Sequence, residues 1–485
     1  MKTGIKVLSA TALVLGAVAV TGGVNEAKAA TTGTAGDFKY RIEADENGAD
    51  AEIVAYNGTA ADVTIPQTIE SNGKIYHVTC VGLEGNTYVQ KLTIPEGVSD
   101  LDSAAFKGCT NLKVVNLPAS LNYVDTAFVD SSVETINVAA GSKVYTSDNG
   151  NLYKADKKTL VVYAPGKADA SFTVPEGTTG LYSNAFDTCK NLQSVVLPTS
   201  MAILNSDSFA DCPNLTNVQI PDGVKEIRRN AFSGCTNLKT ITLPKTVTNV
   251  SSAAFADSVE NINVNKSNKN YSSIKGNLYD KKQTKLLRYA PGKKTASYVM
   301  PNTVKTVIDV AFKDAKSLKN IVVSDKVTSV KSVQFDNTVK TVAVLNKKCK
   351  MGSKNAIAKK TVVYGYANST AAKYAKKNKK TFKAFRAPAA VTATTAEAKN
   401  KAVVVKWTAN KKNTKGYKVQ YSTSKKFTAK TTKTVTAKKT SQTIKGLKKN
   451  KTYFVKVSAY NTVKVAGNKI TVTSDAGKTV AVKAK

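Results

Sequence analysis

The chain has 485 residues, of which 42% are hydrophobic and 7% aromatic, a composition that excludes an intrinsically disordered protein. Its length suffices for about three domains. The formal net charge of +38 is concentrated at one end, because residues 346–485 hold 36 Lys and Arg against only Glu397 and Asp475. Such a basic region predicts attraction to polyanions and says little about the fold.

The first 29 residues have the pattern of a secretory signal peptide. Lys2 and Lys6 precede an apolar run of 14 residues, Val7–Val20, and Ala27-Lys28-Ala29 is a small-x-small cleavage site. The run is too short to span a membrane, and no later segment approaches about 18 consecutive apolar residues. We therefore expect a secreted protein without a transmembrane segment after cleavage, either free or associated with the cell wall.

Residues 30–90 are predicted to form an N-terminal cap and a first repeat. From Asp37 to Gln67, apolar and polar residues alternate around the turn pairs Asn47-Gly48 and Asn57-Gly58, which is typical of β-hairpins. A stacked array needs such a cap because its first coil would otherwise expose its core.

A phrase of 23 residues recurs across residues 91–345. Its proline falls at Pro175, Pro198, Pro221 and Pro244, and its phenylalanine at Phe186, Phe209, Phe232 and Phe255. A period of about 20 to 29 residues predicts a solenoid, whose units bury their apolar faces only by stacking. Within one unit, the alternation from Leu238 to Pro244 predicts one short strand, and Val247–Val250 predicts another.

Four of the six cysteines follow a repeat phenylalanine by three residues: Cys109, Cys189, Cys212 and Cys235. Other repeats hold Ser or Ala at this position, which favours a small buried side chain over a disulfide or a metal ligand. Cys80 and Cys349 lie outside this register and are the stronger candidates for free thiols.

Two insertions of 34 residues interrupt the period and are copies of each other. Gly150–Tyr153 recurs as Gly276–Tyr279, and Tyr163–Lys167 recurs as Tyr289–Lys293, both 126 residues later. Each insertion is predicted to form a hairpin that projects from one face of the solenoid. The projection either marks a binding face or is decoration without a ligand. The candidate contacts on it are Tyr163, Lys167, Tyr289 and Lys293.

The chain after the repeats divides into two parts. Residues 346–386 are predicted to close the solenoid with a strand, a helix and a strand, and Asn368, Ser369 or Thr370 can cap the helix. Residues 387–485 hold about seven strand candidates with lysine-rich turns, which predicts a β-sandwich. Its predicted inward residues are Val403, Val405, Trp407, Tyr417, Val419, Tyr421, Tyr453, Val455, Val457 and Ala459. Leu447 and Tyr453 occupy the positions of a tyrosine corner.

These motifs resemble two known families. The repeat LPxxVxxVxxxAFxxCxxLxxI, the GNLY…YAPGK insertions and the ending VVYGYANSTAAKYAKKN resemble the BspA-type leucine-rich repeat of secreted bacterial proteins, over roughly residues 38–386. Trp407, Tyr417, Leu447 and Tyr453 resemble a fibronectin type III domain. The resemblance implies a mostly β protein, with a right-handed leucine-rich-repeat solenoid followed by a fibronectin type III-like sandwich. It also implies surface binding and adhesion, with varied partners.

The sequence offers little for catalysis. His77 is the only histidine, and Cys80 follows it by three residues in a strand-like segment, so the two side chains face opposite sides. No HExxH, GxSxG, P-loop or CxxC motif occurs. We predict a protein that is not an enzyme and uses no cofactor and no metal. Paired carboxylates for glycoside hydrolysis are the enzymatic option left open.

The lysines of the C-terminal domain are the remaining functional signal. They alternate with inward residues, so most are predicted on outer faces, where they either confer solubility or dock on a polyanion. The candidates are Lys406, Lys418, Lys433, Lys438, Lys439 and Lys456. Aromatic residues for base stacking are scarce, which argues against specific nucleic-acid binding.

Together these features predict an extracellular or cell-surface binding or adhesion protein. The solenoid would present a surface to a protein or a glycan, and the basic domain would act as a spacer or as an anchor on an anionic cell-wall polymer. The alternatives are a structural surface-layer component and a non-catalytic targeting module of a carbohydrate-active complex.

Overall fold

Each 23-residue repeat makes one turn of a β-solenoid, because two short strands separated by turns carry the chain once around a shared core. The computed structural model describes residues 31–485, except residues 46–47, 355, 410–411 and 429 and the side chains of residues 43–48. The predicted signal peptide lies outside the described residues. The described chain is a solenoid of about 14 turns followed by a β-sandwich, which confirms the predicted fold class.

The N-terminal cap has six strands, five of them in one mixed sheet, and leads into the first coil. Its strands are β1 Thr31–Ala35, β2 Phe38–Asp45, β3 Gly48–Tyr56, β4 Asp62–Thr64, β5 Thr68–Ser71 and β6 Lys74–Val81. Strands β2 and β3 form the hairpin predicted at Asn47-Gly48. Asn57-Gly58 does not close a hairpin, because β3 and β4 belong to different sheets. A second hairpin joins β5 and β6 instead, and Asn72 and Gly73 take the positive φ angles that its tight turn requires.

The repeats stack their strands in parallel. Before the first insertion these are β7 Lys91–Thr93, β8 Asp100–Leu101, β9 Val114–Leu117, β10 Tyr123–Val124 and β11 Thr135–Val138. The first insertion contributes β12 Tyr145–Asp148, β13 Asn151–Lys154 and β14 Thr159–Val162. The next repeats hold β15 Ser171–Thr173, β16 Gly180–Leu181, β17 Ser194–Val196, β18 Ile203–Leu204, β19 Asn217–Gln219, β20 Glu226–Ile227, β21 Thr240–Leu243, β22 Asn249–Val250 and β23 Asn261–Val264.

The second insertion repeats the pattern of the first. It contributes β24 Tyr271–Ile274, β25 Asn277–Asp280 and β26 Lys285–Arg288, and the last repeats hold β27 Ser297–Val299, β28 Thr306–Val307, β29 Asn320–Val323 and β30 Thr341–Val344. The longer strands form one side of the solenoid, in sheets such as β15-β17-β19, and the two-residue strands form another, as in β16-β18-β20-β22. Ser194 lies opposite Asn217, 23 residues on, so the sequence period is also the register of the sheet.

The recurring phenylalanines form a column through the core. The rings of Phe186 and Phe209 stack with centroids 4.8 Å apart, and those of Phe209 and Phe232 with centroids 5.5 Å apart. All three rings are fully buried. Such ring pairs contribute about 0.5–1.5 kcal/mol each beyond the burial of their area.

The cysteines of the repeats form a second column beside the phenylalanines. The Cys212 thiol donates to the Phe186 carbonyl at 2.8 Å, and the Cys235 thiol donates to the Phe209 carbonyl at 2.9 Å, one coil back in each case. Burial raises the pKa of Cys109, in the same register, to about 11. Cys109, Cys189, Cys212 and Cys235 are all buried, as their register predicted, and all six cysteines are free thiols.

The insertions are enlarged coils built into the stack, which corrects the prediction of projecting hairpins. Strands β13 and β14 do form the predicted hairpin, but β14 also pairs in parallel with β16 of the next repeat. Gly166 and Gly292 explain the YAPGK motif, since a Cβ on either would lie about 2 Å from the carbonyl oxygen of Ser132 or Ser258 in the preceding coil. The Gly166 amide also donates to the Val133 carbonyl at 2.8 Å.

The C-terminal cap has the predicted order of strand, helix and strand. Strand β31 is Val362–Gly365, helix α1 is Thr370–Lys377, and strand β32 is Phe382–Ala384. Ser369 is the N-cap, and its Oγ accepts a hydrogen bond from the Ala372 amide at 3.2 Å. In the described part of the chain no helix has the length and apolar character needed to cross a membrane.

The C-terminal domain is a two-sheet sandwich. Its strands are β33 Thr395–Lys399, β34 Ala402–Lys406, β35 Gly416–Ser422, β36 Thr432–Ala437, β37 Ser441–Lys445, β38 Thr452–Val465, β39 Asn468–Thr473 and β40 Val480–Lys483. About seven strands were expected, and the last is split into β39 and β40, which both pair with β38. Trp407 lies in the core against Tyr417. The Tyr453 hydroxyl accepts from the Lys448 amide at 3.1 Å, which confirms the tyrosine corner.

The two domains pack against each other through the far end of β38 and β39, called here the docking hairpin (residues 461–473). Strand β35 pairs with β38 only as far as Tyr460, so this hairpin extends beyond the sandwich. Its buried side chains Val465, Ile470 and Val472 form one cluster with solenoid residues Val322, Ala343, Tyr366 and Phe385. The Thr473 amide donates to the Tyr366 hydroxyl at 2.9 Å. The sandwich is therefore fixed against the last coils and is not a flexible spacer.

Candidate functional site

The positive charge of the C-terminal third is almost entirely unneutralised. In the solenoid, exposed lysines meet carboxylates, as in Lys190–Asp130 at 2.7 Å and Lys245–Asp222 at 3.0 Å. Beyond residue 346, the only carboxylates are Glu397 and Asp475, and both already form ion pairs with lysines. Apart from Lys347 and Lys399, no basic side chain among the described residues of this region forms an ion pair with a carboxylate.

The six candidate lysines of the sandwich are spread over several of its surfaces. Lys418 and Lys456 lie on the outer face of the larger sheet, and Lys406 lies on the outer face of the smaller sheet, on the opposite side of the domain. Lys438 and Lys439 are exposed in the turn after β36. The structure does not bring these lysines together in one pocket, so their common effect is a diffuse positive field.

Lys433 departs from the predicted alternation. It lies opposite Tyr421, on the inward side of β36, and is exposed because β36 is the edge strand of its sheet. On the outer face, the Lys456 ammonium lies 4.0 Å from the Phe427 ring centroid, and the Lys418 ammonium lies 5.9 Å from that of Tyr460. Two aromatic rings of this face, Phe427 and Tyr460, are thus already paired with lysines.

The candidate tyrosines of the insertions belong to the core. Tyr163 is 2% exposed and Tyr289 is 1% exposed. Tyr163 stacks near Phe186 at 5.4 Å and so takes the place of a phenylalanine in the column. Burial excludes both rings from direct contact with a ligand. Lys167 and Lys293 are half-buried beside them, and burial lowers the pKa of Lys293.

The outer face of the long-strand sheets is a surface that the sequence reasoning missed. Along it, uncharged polar side chains stand in rows that follow the parallel register: Ser171, Ser194 and Asn217 in one sheet, and Thr240 and Asn261 in the next. The second outward position adds Thr173, Gln219, Thr242 and Asn263, with the exposed Val196 between Thr173 and Gln219. The signal was present as polar residues at alternate positions of each strand.

The same register positions become apolar where the docking hairpin lies. Val322, Ala343 and Tyr364 are paired across β29, β30 and β31 at the position that holds Gln219 and Thr242 earlier in the solenoid. The part of this row that the docking hairpin covers marks the end of the free face. What remains exposed is a long, nearly uncharged surface of hydroxyl and amide groups, interrupted by Val196 and Val299.

His77 is exposed on β6. The register of β6 against β3 shifts between Val78 and Cys80, and Val78 and Val81 both face the core, so the strict alternation that predicted opposite sides for His77 and Cys80 does not hold here. Among the residues with described positions, no three His, Cys, Asp or Glu side chains lie together as metal ligands.

Comparison with known proteins identifies both parts of the chain. Six copies of the BspA type leucine rich repeat region match residues 60–155, 168–285 and 291–364, and a fibronectin type III domain matches residues 386–473. Domains of these two kinds are typically non-catalytic. No curated protein matches the chain.

Several solved structures are similar in fold. A leucine rich cell surface protein from Faecalibacterium prausnitzii is 20% identical, with a TM-score of 0.39, and the match covers 73% of this chain and 94% of that one. A leucine-rich repeat protein from Bacteroides ovatus is 18% identical, with a TM-score of 0.37, and the match covers 72% of this chain and 98% of that one. On the family match, which spans more than half of its residues, the chain belongs to the BspA-type leucine-rich repeat proteins and carries a C-terminal fibronectin type III domain.

Proposed function

We propose that this protein is a non-catalytic, cell-surface or secreted binding protein of the adhesion type, held to an anionic polymer by its C-terminal third. The observation that carries the proposal is the separation of charge. The solenoid is nearly neutral and several of its lysines form ion pairs, whereas residues 346–485 hold 36 basic residues and two carboxylates. A rigidly docked basic domain orients the solenoid relative to the polymer to which it binds.

The polar outer face of the long-strand sheets is the surface offered to the partner. Its exposed Thr242, Asn217 and Gln219 provide hydroxyl and amide groups that hydrogen-bond in both directions. Such groups suit an uncharged glycan or the backbone of a protein partner better than a strongly charged ligand. The family and the surface protein from Faecalibacterium prausnitzii support an extracellular role.

Binding to an anionic polymer is tested with the full chain from residue 31 on immobilised heparin. We expect retention at low salt and release as sodium chloride rises towards about 1 M, where the Debye length falls to about 3 Å. The decisive variant replaces all six candidate lysines by glutamine: Lys406, Lys418, Lys433, Lys438, Lys439 and Lys456.

The matched control replaces six exposed solenoid lysines by glutamine, which removes the same total charge. The sandwich variant should elute at clearly lower salt than the control. Equal elution of the two variants would show that the sandwich lysines are not the anchor, and no retention of the unmodified chain at low salt would show that the C-terminal third is not.

A further inference from the structure

A cleft in the C-terminal cap gathers five lysines around one volume. It measures about 650 Å³ and lies between the last loop of the solenoid and the end of helix α1. Lys354 and Lys359 approach from the loop, and Lys377, Lys379 and Lys380 approach from the helix end. No Asp or Glu is among the described residues that line it. The concentration of charge distinguishes this cleft from the dispersed lysines of the sandwich.

One lysine is fixed in the wall of the cleft. Lys380 is half-buried, and its ammonium donates to the Ile357 carbonyl at 2.6 Å. This hydrogen bond holds the ammonium group in one position in the wall of the cleft. Burial, with the like charges of Lys354 and Lys359 added, lowers its pKa. The neighbouring lysines therefore act on one another as unneutralised charges. An anion in the cleft would relieve this repulsion.

The helix end alone does not account for the cluster. Cations near a helix C-terminus are stabilised by its partial negative charge, which explains lysines of the last turn such as Lys377. Lys354 and Lys359 come from a different segment, about 20 residues earlier, and the field of a helix end falls off within one turn. Their convergence on the same volume thus has no explanation in the stability of the helix.

We propose that this cleft binds the tetrahedral oxyanions of an anionic polymer, as phosphate or sulfate esters. Lysine ammonium groups are compact charges with three donors each, which suits such groups without fixing one geometry. The volume lies in the range of about 300–1,000 Å³ that is typical of ligand sites, so it accommodates more than one ester group. The inference rests on the proposed anchoring role and gives it a defined site.

The test measures binding of the full chain from residue 31 to inorganic polyphosphate, to heparin and to poly-glutamate at low salt. The cleft variant is K354Q/K359Q/K380Q. The matched control, K360Q/K373Q/K376Q, removes three charges from the same cap at positions that do not line the cleft. We expect the cleft variant to lose at least about tenfold in affinity for an oxyanion polymer and the control to lose less than about threefold.

The outcomes separate the two proposals. Equal losses in the two variants would overturn the cleft and leave a diffuse anchor, whereas no binding by the unmodified chain would overturn both. Binding of poly-glutamate as tight as that of the other polymers would overturn the preference for oxyanions. Tighter binding of polyphosphate or of heparin supports the site and identifies the ester. The double variant K354Q/K359Q touches only exposed side chains and replaces the triple variant if that one unfolds.

Discussion

The contact between the two domains can be tested with one substitution in the docking hairpin. Ile470 is 4% exposed and packs on the outer face of the last solenoid coils, whereas its neighbour Thr471 is exposed. We expect Ile470→Asp to separate the sandwich from the solenoid while both domains stay folded. The reason is that Ile470 lies outside the sandwich core, which contains Trp407 and Tyr417.

The expected magnitude follows from what the substitution removes and adds. Burying an isoleucine side chain stabilises a contact by about 1.5–3 kcal/mol. Burying a polar group without a partner costs about a further 2 kcal/mol, and burying a carboxylate costs more. The contact retains two hydrogen bonds, Thr473 to Tyr366 and Asn461 to Arg386, together with the ion pair of Lys347 with Asp475 and the burial of Val465 and Val472. The substitution should therefore shift the docking equilibrium towards the undocked form by about 4 kcal/mol.

Small-angle X-ray scattering and calorimetry measure this outcome together. The unmodified chain should show one rigid shape, and Ile470→Asp should increase the radius of gyration and let the sandwich unfold in its own transition. Thr471→Asp, on the same hairpin, should leave both measurements unchanged. An unchanged radius of gyration for Ile470→Asp would refute the reasoning, as would an equal increase for Thr471→Asp.

Two further predictions concern buried charges of the solenoid. Arg288 is 1% exposed and lies 3.7 Å from Asp314, whereas the first insertion has Val162 and Thr188 at the equivalent positions. Arg288→Val should therefore change the free energy of unfolding by less than about 1 kcal/mol, whereas Val162→Arg should lower it by at least about 3 kcal/mol. Urea denaturation measures both changes, and equal costs would contradict this account. Burial raises the pKa of Asp187 from 3.8 to about 6, so the folded state binds more protons than the unfolded state between these values, and stability should fall as the pH rises through that window. Asp187→Asn should remove this pH dependence and raise the free energy of unfolding by about 1 kcal/mol at pH 8, after allowance for the partial exposure of the side chain. A melting temperature with the same pH dependence in both proteins would contradict the prediction.

The scaffold was predictable because its physical requirements recur. A phenylalanine every 23 residues can stack only if each repeat makes one turn, and the structure has this column from Phe186 to Phe232. The tyrosine corner at Tyr453 and the helix cap at Ser369 each depend on local spacing, which a sequence displays directly.

The surface was harder to predict because it depends on which coil meets which. Tyr163 and Tyr289 each begin the sequence Tyr-Ala-Pro-Gly-Lys, which recurs in both insertions and is typical of an exposed turn. Only the parallel pairing of β14 with β16 shows that the insertions continue the stack and bury both rings. Likewise, Val465 and Ile470 continue the alternation of an ordinary strand. That their partners are Val322 and Ala343 follows from the tertiary fold alone.

The central claim is that residues beyond 346 make the contact with an anionic polymer, and lysine footprinting tests it most directly. The full chain from residue 31 is acetylated with and without heparin, and the modification of each lysine is measured by mass spectrometry. The account predicts protection of the cap and sandwich lysines, including Lys359 and Lys406, and unchanged reactivity of exposed solenoid lysines such as Lys225 and Lys305. Protection spread evenly along the solenoid, or none in the C-terminal third, would contradict it.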